Sequence, residues 1–180
     1  MAQMTALALV QSLLETVDVR SILVGGFAVV HYGYQRATQD LDLMIMEEDL
    51  PKVKEALERD GFSMTNLSDV CAKFKKSGFG LEAVDFVMVS SATFHKVLQS
   101  GQRVVISGKD FVVPSLENLI AMKLHSIKQD PEERMMKDLP DIARLLRTNN
   151  IDPRSSFFQD LCLKFGTQES YDTLLRFFKA

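Results

Sequence analysis

Apolar side chains recur along this chain at two periods. Near the start, Leu7, Val10, Leu13 and Leu14 follow one another at steps of three and four, which predicts a helix over residues 3–17 with one buried stripe. Residues 21–24 form a short apolar run that stops at Gly25-Gly26, the pattern of a buried strand broken by a glycine pair. Residues 27–32 then read as a short helix closed by Gly33. Over residues 40–46 the period falls to two, with Asp40 and Asp42 set against Leu41 and Leu43 and with Ile45 beyond, which predicts a strand. A helix is expected over residues 48–60, with Pro51 in its first turn and Gly61 past its end. Residues 70–75 and 81–89 are strand-like and are joined by Ser77-Gly78-Phe79-Gly80. Residues 104–106 and 111–113 flank Ser107-Gly108-Lys109-Asp110 as a hairpin. After Pro114 the pattern is helical only: one helix capped by Ser115, then three more over residues 134–147, 153–165 and 168–179.

This order predicts an α+β fold: a mixed sheet flanked by helices, with a C-terminal helical cap. The junction is expected at Pro114, dividing an α/β core over residues 1–113 from a helical region over residues 114–180. With 180 residues, 46% hydrophobic and 25% charged, the chain has the make-up of a compact globular protein and excludes a disordered or collagen-like one. The net charge of -3 argues against extended nonspecific contact with duplex DNA. The first sixty residues hold five basic and ten acidic side chains, a balance that suits a bound cation but that by itself is more often just a solvated surface. Cys71 and Cys162 are far apart and lack CxxC spacing, as expected in a reducing compartment. No basic residue precedes Arg20 and no apolar run approaches a membrane span, so a cytoplasmic protein without a membrane partner is expected.

Three features carry chemistry when taken together. At Val24-Gly25-Gly26-Phe27 a strand feeds a helix, and backbone N–H groups at such a junction can hold a phosphate. In Asp40-Leu41-Asp42, residues i and i+2 share one strand face, so two carboxylates stand side by side. Such a pair repels itself unless a hard divalent cation lies between, although an exposed acidic strand edge has the same pattern. Asp85 interrupts the apolar run Leu81-Glu82-Ala83-Val84-Asp85-Phe86-Val87-Met88-Val89, a costly position for a charge that lacks a partner or a cation.

The succession of a strand, Gly-Gly and a helix, then a DxD strand, then a lone aspartate on a later strand resembles the nucleotidyltransferase superfamily. The stretch from Val24-Gly25-Gly26-Phe27 through Arg36-Ala37-Thr38-Gln39-Asp40-Leu41-Asp42-Leu43 is similar to the branch containing AbiEii-type toxins. So are the segment from Val113-Pro114-Ser115-Leu116 to Lys123-Leu124 and the run Arg134-Met135-Met136-Lys137-Asp138-Leu139-Pro140-Asp141-Ile142. The resemblance implies a nucleoside triphosphate substrate and two divalent cations, Mg²⁺ with Mn²⁺ as a substitute. It makes Asp40 and Asp42 the metal ligands and Asp85 the third carboxylate, helping to activate the attacking hydroxyl. It also implies that Gly25 and Gly26 hold phosphates, and that Lys123 and Asp141 serve the nucleotide. Many members carry Gly-Ser where this chain has Gly25-Gly26, so a serine hydroxyl is missing here.

Several residues admit a second reading. Lys123 is either a phosphate ligand or a snorkelling surface lysine, and Asp141, with Asp138 as the competing match, is either a site residue or half of a helix-surface ion pair with Lys137 or Arg144. Arg36 either reaches a phosphate or braces Asp40 and Asp42. Lys73, Lys75 and Lys76 read as an exposed strand face available to an RNA acceptor, and His31 is near enough to the glycine pair to line a site. The function expected is transfer of a nucleoside monophosphate to a hydroxyl acceptor, whether RNA, protein or small molecule, with a toxin-like role in view. The alternative is a catalytically weak binding module in a toxin–antitoxin or other protein pair, motivated by the Phe-rich C-terminus.

Overall fold

A computed structural model of the protein describes residues 2–178, so residue 179, the end of the last expected helix, lies outside the described residues. The chain divides into two compact units. The first comprises the residues up to 28 together with 37–115, and the second comprises 29–36 together with the residues from 116 onward.

The first unit is built on a five-stranded sheet. Its strands are β1 (Ile22–Leu23), β2 (Asp40–Met46), β3 (Ser63–Leu67), β4 (Cys71–Lys75) and β5 (Ala83–Val89), in the order β1-β2-β5-β4-β3. Only β2 and β5 run parallel; the other neighbours are antiparallel. The alternation read in β2 sets its two faces. Leu41, Leu43 and Ile45 enter the core with Val84 and Phe86 of β5 and with Ala72 and Phe74 of β4, all fully buried. Phe74 and Phe86 meet edge to face, with ring centroids 5.8 Å apart. The same core takes in Leu7, Val10 and Leu14 of α1 (Ala2–Thr16) and Val53 and Leu57 of α3 (Leu50–Arg59).

Helix α3 stops where the sequence says it must. Gly61 takes φ +86°, and the Gly61 and Phe62 N–H groups donate back to Glu58 and Leu57, closing the last turn. The hairpin of β6 (Gln102–Ile106) and β7 (Lys109–Val113) turns at Ser107-Gly108, both with positive φ, as a tight two-residue connection demands. Strand β3 and helix α4 (Ser91–Gln99) are additions to the elements expected. Ser90 caps α4 by accepting from the Thr93 N–H, and Phe94 and Val97 bury its inner face. Helix α2 (Gly25–His31) begins at the glycine pair, two residues earlier than expected.

The second unit is helical. It contains α5 (Leu116–Gln129), α6 (Pro131–Thr148), α7 (Ser156–Phe165) and α8 (Gln168–Arg176). Asp130 alone joins α5 to α6 and caps the latter by accepting from the Glu133 N–H. Leu119, Leu124, Ile142, Leu146, Phe158 and Leu174 fill the interior. The 29–36 segment is tied to α6 by Asn149, whose amide donates to the Tyr32 and Leu145 carbonyls. Gly33, at φ +90°, lies where a Cβ would come 2.8 Å from Thr148. No helix among the described residues is long and apolar enough to cross a membrane.

Candidate active site

The face of the sheet opposite the core is where the three aspartates meet. On parallel β2 and β5, Asp42 is the register partner of Asp85, and Asp40 stands two residues back on the same face. On antiparallel β4, Lys73 is the register partner of Asp85 and so joins that face. The Lys73 ammonium lies 3.1 Å from Asp85 Oδ2 and 3.6 Å from Asp40 Oδ2. Burial works against the charge on Lys73, but the hydrogen bond and attraction of Asp85, then of Asp40, outweigh it and raise its pKa above the ordinary lysine value.

The glycine turn packs directly on Asp42. The Val24 N–H donates to the Asp42 carbonyl at 3.0 Å, and the Gly26 N–H donates to Asp42 Oδ2 at 3.4 Å. Gly25 takes φ +59°, and a Cβ there would fall 2.0 Å from Asp42 Oδ2. Only glycine therefore lets the strand-to-helix turn approach the carboxylate this closely.

The oxygen donors on this face fit a hard cation. Asp40 Oδ1 is buried without a hydrogen-bond partner, and a positive charge, that of Lys73, already sits between two of the carboxylates. As the side chains stand, no group of three His, Cys, Asp or Glu among the described residues is placed to hold a metal ion.

The remaining candidates form a separate cluster in the helical unit. Lys123 donates to Asp138 Oδ1 at 2.6 Å and to Asp141 Oδ2 at 2.7 Å, and Arg36 donates to Asp141 at 3.2 Å. Lys123, Asp138 and Asp141 are 7%, 4% and 2% exposed. Lys123 is thus no surface lysine, and neither aspartate belongs to a helix-surface pair with Lys137 or Arg144. Both carboxylates turn inward to one buried ammonium. Arg36 gives its guanidinium to Asp141 where bracing of Asp40 and Asp42 was one of the expectations. His31 is exposed, its ring edge-on to Tyr32.

Sequence reasoning missed Lys73, which it grouped with Lys75 and Lys76 on an exposed strand face. Lys75 is exposed, Lys76 pairs with Asp60 at 2.6 Å, and Lys73 reaches the aspartates. The signal was present: with Ala72 and Phe74 turned inward, Lys73 must turn outward beside Asp85 once β4 pairs with β5.

A mixed sheet of this order, with a glycine turn packed on an Asp-x-Asp strand, is the nucleotidyltransferase fold. ANT(2'')-Ia, crystallised in complex with adenylyl-2''-tobramycin, superimposes with a TM-score of 0.63 at 16% identity over 98% of this chain and 97% of that one. The lincosamide antibiotic adenylyltransferase LnuA, in its lincomycin-bound form, gives a TM-score of 0.59 at 17% identity over 82% of this chain and 97% of its own. An antigenic nucleotidyltransferase-like protein from Paracoccidioides brasiliensis gives 0.55 at 16% identity, covering 96% and 91% of the two chains. The family follows from the sequence itself: residues 1–179 match the model of a family described as uncharacterised nucleotidyltransferases, and the chain belongs to that family. No curated protein sequence matches it.

Proposed function

We propose that this protein transfers a nucleoside monophosphate from a nucleoside triphosphate to a hydroxyl group of an acceptor. The observation that carries the reading is the register of β2 on β5, which sets Asp42 beside Asp85 with Asp40 on the same face, under a glycine turn that only glycine can make. Asp40 and Asp42 serve as the cation ligands in this reading, with Asp85 as the third carboxylate. Mg²⁺, or Mn²⁺ in its place, would supply neutralisation of the charge on the phosphate oxygens. The acceptor oxygen forms a bond to the α-phosphorus, the bond from that phosphorus to the bridging oxygen of the β-phosphate breaks, and pyrophosphate leaves. The hydroxyl proton passes toward Asp85. In this reading the backbone N–H groups of Gly25 and Gly26 take the phosphates, the Gly26 N–H leaving Asp42 Oδ2 to do so.

Lys123, Arg36 and Asp141 take a positioning role. A buried ammonium between two carboxylates gives up a good deal of binding to turn toward a triphosphate, so we assign this cluster to holding α5, α6 and the 29–36 segment in register. A small molecule is the acceptor class to test first, because ANT(2'')-Ia and LnuA, which share the fold, are described with an adenylylated antibiotic and as an antibiotic adenylyltransferase. The toxin-like role rests on the motif resemblance of residues 24–43 and 113–142.

Incubation with α-labelled nucleoside triphosphates, Mg²⁺ and separated small-molecule, RNA and protein fractions of a cell extract tests the proposal. The parent protein should label one fraction and Asp42→Ala should label none. Equal labelling by Asp42→Ala would remove that aspartate from the chemistry.

A further inference from the structure

We propose that Lys73 is a built-in cation that occupies the Asp40–Asp85 pair and must be displaced before a divalent cation can enter. The inference rests on the reading of Asp40, Asp42 and Asp85 as cation ligands, and it adds a residue to which no role in that site is assigned. The Lys73 ammonium is placed to balance two carboxylates at once, 3.1 Å from Asp85 and 3.6 Å from Asp40. Its strand position is not incidental. Lys73 is directly across from Asp85 in the β4–β5 ladder, so the strand pairing itself brings the side chain beside that carboxylate. Its neighbours Ala72 and Phe74 are fully buried and hold the strand in that register.

The consequence is competition. Carboxylates packed on one face repel, and the ammonium relieves that repulsion in the metal-less protein. A divalent cation relieves it more strongly, but it must first break the contacts Lys73 makes. Lys73 therefore lowers the apparent cation affinity while holding the Asp40 and Asp85 side chains in place. It is a positioning residue: it acts through Asp40 and Asp85.

Manganese binding by the whole protein, followed by electron paramagnetic resonance with Mn²⁺ alone, tests this. Lys73→Met keeps most of the side chain, one heavy atom shorter, and removes its charge. Its Mn²⁺ affinity should rise about five- to tenfold over the parent, a figure reduced from that of a fully buried charged contact because Lys73 is about one-third exposed. Lys73→Arg, which keeps the charge, should bind as the parent does. The melting temperature supplies a second reading: Lys73→Met should gain more from added Mn²⁺ than the parent gains, whereas a lysine that only packs would leave that gain unchanged. Lys73→Gln replaces Lys73→Met if the latter does not fold.

Unchanged or weaker Mn²⁺ binding in the charge-removed variant, beside a parent site that Asp42→Asn abolishes, would overturn the role of Lys73 and leave the aspartate site standing. Binding that neither Asp42→Asn nor Lys73→Met alters would overturn the aspartate site, and the competition with it.

Discussion

The contact between Gly25 and Asp42 invites a direct perturbation. In Gly25→Ala the new Cβ would fall 2.0 Å from Asp42 Oδ2, 2.4 Å from its Cγ and 2.7 Å from its Cβ. None of these separations is tolerable, so either the turn or Asp42 must shift. Two costs combine. A residue with a Cβ at φ +59° costs about 1–2 kcal/mol, and forcing atoms into a packed site costs about 1–3 kcal/mol more. We expect Gly25→Ala to lose about 3 kcal/mol in urea unfolding followed by circular dichroism. The steric share can be separated from the backbone share. Asp42→Ala deletes the two atoms nearest the new Cβ, so Gly25→Ala should cost at least about 1 kcal/mol less in that background than in the parent. Equal costs in the two backgrounds, or a loss below about 0.5 kcal/mol in the parent, would refute the claim that Asp42 lies against the glycine turn.

Other outcomes follow from the same structure. Lys123→Met strands Asp138 in the helical interior and should cost about 3 kcal/mol in urea unfolding, and a loss under about 1 kcal/mol would mean that the cluster is solvated. Because the Lys73 pKa is raised in the folded protein, its stabilising contribution is complete at neutral pH and disappears as pH climbs through and past the ordinary lysine value. The parent should therefore lose more stability than Lys73→Met between pH 9 and 11, and parallel pH–stability curves would contradict this. Burial pushes the Cys162 thiol up to about 12, whereas Cys71 is half-buried, so a thiol reagent at neutral pH should modify Cys71 first and Cys162 only on unfolding. Equal native rates would count against that burial.

The sheet was largely legible because its strands announce their faces. Asp40-Leu41-Asp42-Leu43 alternates cleanly, and Asp85 stands out in an apolar run, so each strand could be oriented singly. The pairing between strands was not legible. More than forty residues separate Asp42 from Asp85, and a slip of one position would turn Asp85 to the other face; nothing local sets that register. Lys73 was lost for the same reason, since its outward direction means little until β4 is known to lie beside β5. Strand β3, Ser-Met-Thr-Asn-Leu, has four of its five residues exposed and carries no apolar alternation to find. Helix α4 could have been found from Ser90 followed by Phe94 and Val97. The Lys123 cluster depends on how α5 packs against α6, and Arg36 reaches Asp141 across 105 residues. Periodicity shows that those helices exist and does not show which polar side chains they enclose.

Asp40, Asp42 and Asp85 are proposed to hold a hard cation beside the Gly25-Gly26 turn. An anomalous-difference map from crystals soaked with Mn²⁺ and a non-hydrolysable triphosphate tests it most directly. The expected map has a peak at coordination distance, about 2.0–2.6 Å, from oxygens of Asp40 and Asp42 and on the Asp85 side of β2, with the Lys73 ammonium swung away. A strong peak elsewhere on the protein, with the aspartates still bound to Lys73, would contradict it.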